Sequence, residues 1–164
     1  MHLPHQVFVY GTLKSGEPNF HVMSETDGIY SSIGKGRTLH TYPLIIASPF
    51  NVPMVIFDRG NGHRIHGEVY QVNDVKLAEL DKLECHPDDY RREIEQIELE
   101  DGTVINAWMY SVRDVKPEIF EGATAHIELY TSAGEHGRPY NASYTIGETN
   151  PEYEFKQWLK QLKH

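Results

Sequence analysis

Short apolar runs, broken often by Gly, Pro, Asn and Asp, run through this chain, and they predict a β-rich domain with a few helices instead of a helical bundle. Strands are predicted at 6–10, 34–40, 54–57 and 65–72. The clearest local element is a hairpin. Arg92 to Glu100, with Ile94, Ile97 and Leu99, leads into Asp101-Gly102, which supplies the positive φ angles of a tight turn before Thr103 to Ser111 returns with Trp108 and Tyr110. Ile94 and Ile97 lie three apart while Ile97 and Leu99 lie two apart, so the alternation slips once and predicts a bulge near Glu95-Gln96. Gly60, Gly62 and Gly67 mark turns or close backbone approach.

Helical spacing appears twice. Asn73-Asp74 can cap a helix reaching Leu83 or Glu84, because their side-chain oxygens accept the first free N–H groups, and His86-Pro87 ends it. Leu77, Leu80 and Glu84 fall at i, i+3 and i+7, which aims the carboxylate at the interior with the leucines. Burial and the negative end of the helix dipole would both raise its pKa, whereas fraying of the last turn would release it to solvent. Asn150-Pro151 reads as a cap and first-turn proline, followed by Phe155, Trp158, Leu159 and Leu162 on one face. This amphipathic helix in a C-terminal extension, 143–164, is expected to dock on the body, with a dimer mate as the other receiving surface.

A chain of 164 residues with 39% hydrophobic content suits one domain, taken as 1–164. The net charge of −9, with no run of Lys or Arg, excludes nucleic acid as an expected partner, and the modest basic content of the tail speaks against a membrane surface. Cys85 is the one cysteine. With no internal disulfide, secretory segment or 18-residue apolar run to be read, a cytoplasmic setting is expected.

Candidate chemistry begins at Val7-Phe8-Val9-Tyr10-Gly11-Thr12-Leu13-Lys14-Ser15-Gly16, a strand that stops in a tight loop where exposed N–H groups can cradle an anion or oxyanion. Glu84, in Leu83-Glu84-Cys85-His86-Pro87, could supply proton transfer. By spacing alone, an ordinary strand-to-turn junction and a solvated carboxylate are the better fit. Tyr90 and Tyr110 are open to two readings, a hydroxyl or ring at the site and simple core packing. Cys85 and His86 diverge as neighbours on a helix and suggest an inert cysteine. His2/His5 and His63/His66 have loose ligand spacing without a third ligand, so no metal is expected. Gly34-Lys35-Gly36 lacks the remainder of a nucleotide-binding loop.

Val7 to Gly16, read with Leu80-Asp81-Lys82-Leu83-Glu84 and Tyr90-Arg91, resembles the γ-glutamylcyclotransferase-like superfamily, most closely its γ-glutamylamine cyclotransferase branch. Arg37-Thr38-Leu39, Tyr42-Pro43-Leu44, Gly67-Glu68-Val69-Tyr70 and Gly134 to Asn141 extend the resemblance over roughly 6–142. It implies a single α+β domain, a strongly curved mixed β-sheet, barrel-like, enclosing a cavity with short flanking helices. It also implies cyclisation of an L-γ-glutamyl amide to 5-oxoproline with release of the amine, an intramolecular acyl transfer that breaks a carbon–nitrogen bond and calls on no cofactor. Glu84 would be the catalytic residue, and Tyr10, Gly11, Thr12, Leu13, Tyr90 and Tyr110 would bind substrate. The expected substrates are γ-glutamylamines such as γ-glutamyl-ε-lysine, the isopeptide of transglutaminase crosslinks. The alternatives are γ-glutamyl-α-amino acids, or a metabolite-binding module without catalysis. Glutathione-specific relatives carry Ser where Thr12 stands, which weighs against that substrate. A monomer is expected, or a dimer through the C-terminal helix.

Overall fold

The computed structural model describes residues 3–140 and 151–164. Among these, β-branched and aromatic positions build seven strands: β1 (His5–Val9), β2 (Tyr30–Tyr42), β3 (Leu44–Ala47), β4 (Val52–Val55), β5 (His63–Val72), β6 (Arg91–Leu99) and β7 (Val104–Ser111). Five close into a barrel in the order β1-β5-β2-β6-β7, while β3 and β4 form a separate two-stranded sheet. Closure is parallel, through Val7 opposite Trp108, and the other barrel pairings are antiparallel, so the sheet is mixed as the resemblance implies.

Successive residues of β1 serve different cores, because alternate side chains leave opposite faces of a strand. Phe8 packs with Ile65, Val69, Ile97, Ala107 and Met109 on one face. Val7 and Val9 join Tyr70, Leu77 and Leu80 on the other. Both faces are covered, which is why this strand reads as a continuous apolar run.

The hairpin forms where predicted, but the bulge near Glu95-Gln96 does not exist. Pairing runs in unbroken register from Arg91 opposite Ser111 to Glu98 opposite Val104. Ile94 is 49% exposed, and it is Glu95, 3% exposed, that points inward. Tyr42 donates to Glu95 at 2.6 Å, and Arg59 reaches its two oxygens at 2.9 and 3.2 Å, so the buried carboxylate is paired and the alternation never slips. The irregular registers lie in β2, between Ser32 and Gly34 and between Arg37 and Thr41. The strand predicted at 54–57 runs from Val52 to Val55 and pairs with β3, which the sequence reading had not separated out.

Gly67 is a point of close approach. A Cβ there would lie 2.4 Å from the Val9 carbonyl oxygen and 2.7 Å from the Phe8 ring, so β1 and β5 can pass only if the position has no side chain. Gly67→Ala is expected to destabilise by about 3 kcal/mol, at the upper end of overpacking penalties. Chemical denaturation checks this, and a loss below about 0.5 kcal/mol would mean that the strands part freely.

Among the described residues, three α-helices flank the sheet, α1 (Phe20–Glu25), α2 (Asp74–Glu84) and α3 (Pro151–Leu162), beside a short 3-10 helix at Pro117–Phe120. Asn73 caps α2 by accepting from the Lys76 N–H at 3.0 Å, a contact typically worth about 1 kcal/mol. Leu77 and Leu80 are buried, and Cys85 ends the helix in the left-handed conformation. On α3, Leu159 is buried, and Phe155, Trp158 and Leu162 pack on the same core as Leu77 and Leu80. The predicted cap Asn150 lies outside the described residues. Among the described residues, no helix is long and apolar enough to cross a membrane.

Candidate active site

A cavity of about 510 Å³ opens where β1 ends. Every residue that the resemblance assigns to a site lines it: Tyr10, Gly11, Thr12 and Leu13 from the loop after β1, Glu84 from the end of α2, Tyr90 from before β6 and Tyr110 from β7. The barrel brings these distant stretches together because β1 pairs with β7 and α2 follows β5 directly.

The loop is held by its carbonyls. Gly11 accepts from the Lys14 N–H at 3.2 Å and Thr12 from the Asn19 N–H at 2.8 Å, while the Asn19 amide donates to the Thr12 hydroxyl oxygen at 2.9 Å. Leu13 anchors the turn in the apolar core. Among the described residues, no acceptor answers the N–H groups of Gly11, Thr12 and Leu13. Unanswered donors at the wall of an apolar cavity can hold a carboxylate or an oxyanion. Gly11 serves this loop by its size rather than by an unusual φ. Its backbone lies outside the left-handed region, and a Cβ would stand 3.0 Å from Pro53 Cγ.

Glu84 sits in the last turn of α2, is part-exposed as a residue, and lines the cavity together with Tyr10, Leu83 and Tyr90. Burial, and then the charges of Asp81 and Asp89, push its pKa up to about 8. Asp81, one turn earlier, has the opposite fate. Burial alone would raise it, but hydrogen bonds from Arg92 at 2.8 and 3.1 Å and from the Tyr110 hydroxyl at 2.7 Å outweigh that and hold it below its ordinary value. One helix end thus presents one carboxylate fixed in its charged form and one able to exchange a proton near neutral pH, the separation of states that acid–base chemistry requires.

Asp81 and Arg92 were not foreseen as site residues. Arg91, quoted with Tyr90 in the sequence blocks, points outward toward Glu93, because neighbours on a strand face opposite ways. It is Arg92 that turns in, its guanidinium 4.3 Å from the Trp108 ring centre. Tyr110 links this pair to the loop, since its carbonyl accepts the Tyr10 hydroxyl at 2.7 Å while its own hydroxyl serves Asp81. Tyr90 donates to the Pro53 carbonyl at 3.0 Å. Burial raises the pKa of all three tyrosines, and with their hydroxyls engaged they act as walls and struts.

Phe155 of α3, absent from the sequence-based site, also lines the cavity and stacks on Tyr90 with ring centres 6.3 Å apart and planes 14° apart. Among the described residues, no three His, Cys, Asp or Glu side chains gather around one point. His5 pairs with Asp74 at 2.6 Å and His63 with Glu128 at 3.5 Å, while His2 lies outside the described residues.

The family described as Gamma-glutamyl cyclotransferase, AIG2-like, matches residues 7–132. The chain is 38% identical over 137 residues to gamma-glutamylaminecyclotransferase of Bos taurus, covering 82% of this chain and 80% of the relative. It is also 38% identical over 149 residues to the Homo sapiens protein of that name, covering 82% and 95%. The crystal structure of an AIG2-like protein from Mus musculus superposes with a TM-score of 0.82 at 34% identity, over 88% of this chain and all of that one. With 126 of its 164 residues inside the family match, counted inclusively from 7 to 132, this chain belongs to the gamma-glutamyl cyclotransferase, AIG2-like family.

Proposed function

We propose that the protein is a γ-glutamylamine cyclotransferase, converting the L-γ-glutamyl group of a γ-glutamylamine to 5-oxoproline and releasing the free amine. The observation that carries this reading is the placement of Glu84, its pKa raised to about 8, in one cavity with Gly11, Thr12 and Leu13, whose backbone N–H groups have no acceptor among the described residues.

The substrate's α-ammonium gives a proton to the Glu84 carboxylate, and the freed amine attacks the γ-carbonyl carbon, closing a five-membered ring. The N–H groups of Gly11 to Leu13 receive the glutamyl carboxylate or the oxyanion of the tetrahedral intermediate. Glu84 then returns the proton to the departing nitrogen, the carbon–nitrogen bond breaks, and the carbonyl re-forms. The second proton shed by the ring nitrogen leaves with the released amine, which departs as its ammonium. A group that must accept a proton and give it back in one turnover works best with a pKa near the ambient pH. Burial does most to raise that pKa, and Asp81, kept ionised by Arg92 and Tyr110, adds to it by repulsion. Tyr10, Thr12, Tyr90 and Tyr110 shape the pocket around the glutamyl chain. The same reading takes 1–164 as one cytoplasmic unit with 143–164 as its extension, and a monomer, since the apolar face of α3 is spent on its own core.

The test is 5-oxoproline release over a panel of γ-glutamyl-ε-lysine, γ-glutamyl alkylamines, γ-glutamyl-α-amino acids and glutathione. The amines are expected to be turned over with the highest kcat/KM. Preference for α-amino acids would move the assignment to that branch, and binding without release from any member would overturn it.

A further inference from the structure

We propose that α3 forms the leaving-amine wall of the cavity, with Phe155 as a specificity-determining residue that receives the hydrocarbon part of the departing amine; this rests on the cyclotransferase reading above. The family match ends at residue 132, so the Phe155 wall comes from chain beyond it. It is nevertheless firmly seated. Leu159 is 1% exposed, the Leu162 carbonyl accepts the Lys116 N–H at 2.6 Å, and the His164 N–H donates to Asp114 at 2.7 Å. Two lysines fasten α3 to the segment that follows Glu84. Lys156 pairs with Asp89 at 3.3 Å, and Lys163 donates to the carbonyls of Asp88 and Asp89 at 2.8 and 3.1 Å.

Tyr90 gives the cavity its direction. Its hydroxyl reaches the carbonyl of Pro53, whose ring borders Gly11, while its ring face is stacked by Phe155. A glutamyl head held at the N–H groups of Gly11 to Leu13 therefore points its amide nitrogen past Glu84 toward α3. The wall it meets there is aromatic. Asp89, the acid beside it, is paired with Lys156, so among the described residues this end presents the rings of Tyr90 and Phe155 and no carboxylate without a cation partner. Such a surface selects amines whose nitrogen is followed by several methylenes, the ε-amine of lysine among them, over short ones.

The test compares kcat/KM for γ-glutamylhexylamine and γ-glutamylmethylamine in the wild type, Phe155→Ala and Phe155→Leu. Removing the ring is expected to lower the hexyl-to-methyl ratio at least tenfold, mainly through KM, and Phe155→Leu is expected to restore most of it. A ratio unchanged in Phe155→Ala, or both substrates weakened equally, would overturn the assignment and leave α3 as a prop for Tyr90. If the wild type releases 5-oxoproline from neither substrate, the functional reading itself falls, and this one with it.

Discussion

Glu84→Gln is expected to abolish turnover while making the folded protein more stable in alkaline solution. Glutamine keeps the volume and can still hydrogen-bond, but it cannot take up the ammonium proton, and loss of a general acid–base group typically costs ~10²–10⁴-fold in rate. The stability effect follows from linkage. A carboxyl with a pKa of about 8 in the folded protein and an ordinary value of 4.5 when unfolded holds a proton in the native state that the unfolded chain has shed. Wild-type stability should therefore fall as pH rises from about 4.5 to about 8, by on the order of a few kcal/mol at ~1.4 kcal/mol per pKa unit, and stay low above that. The variant lacks this slope. Unfolding midpoints of the two proteins at pH 5 and pH 9, measured beside 5-oxoproline release, check both halves. Retention of more than about a tenth of the rate would remove Glu84 from proton transfer, and parallel stability curves would show that its carboxyl is not held protonated.

Gly11→Val should be nearly as severe, for a reason of space. The first side-chain carbon would already stand 3.0 Å from Pro53 Cγ, and the two further methyl groups of valine must push the loop away from β4. Displacing one oxyanion donor typically costs ~10²–10³ in rate, so moving three donors together should cost at least that. Thr12→Ser, by contrast, keeps the hydroxyl that Asn19 holds and should be mild. Steady-state kinetics on the pair, with 5-oxoproline as a competitive ligand, separate these outcomes. Near-normal catalysis and product affinity in Gly11→Val would make the loop structural.

What the sequence made legible was what local rules decide. Asp101-Gly102 between alternating runs gives the hairpin, and Asn73 gives the start of α2. Glu95 defeated the same rules because its partners, Tyr42 and Arg59, lie 53 and 36 positions away, and nothing in a local pattern shows that a carboxylate will be paired inside. Leu44 to Ala47 escaped as a strand because all four residues are buried, leaving no alternation to read. The spacing of Glu84 from Leu77 and Leu80 placed it on the inward face of α2, and its chemistry was legible only through the family resemblance. Asp81 carried a signal of its own, an acid one turn before another acid, but only the fold reveals that Arg92 and not Arg91 faces it. Phe155 was read correctly as part of a docking face, and no periodicity could say that the face ends at a cavity.

The parallel seam between β1 and β7 sets an order of events during synthesis. β1 leaves the ribosome before either of its neighbours, since β5, on one side, ends at Val72 and β7, on the other, begins at Val104. Until both have emerged, the first strand carries an open edge of apolar residues, the kind of surface that invites pairing with other chains. The loop that follows it stays unsupported for as long. A ribosome-bound chain stalled before Val104 should therefore be a target for holding chaperones, and one long enough to expose β7 should escape them.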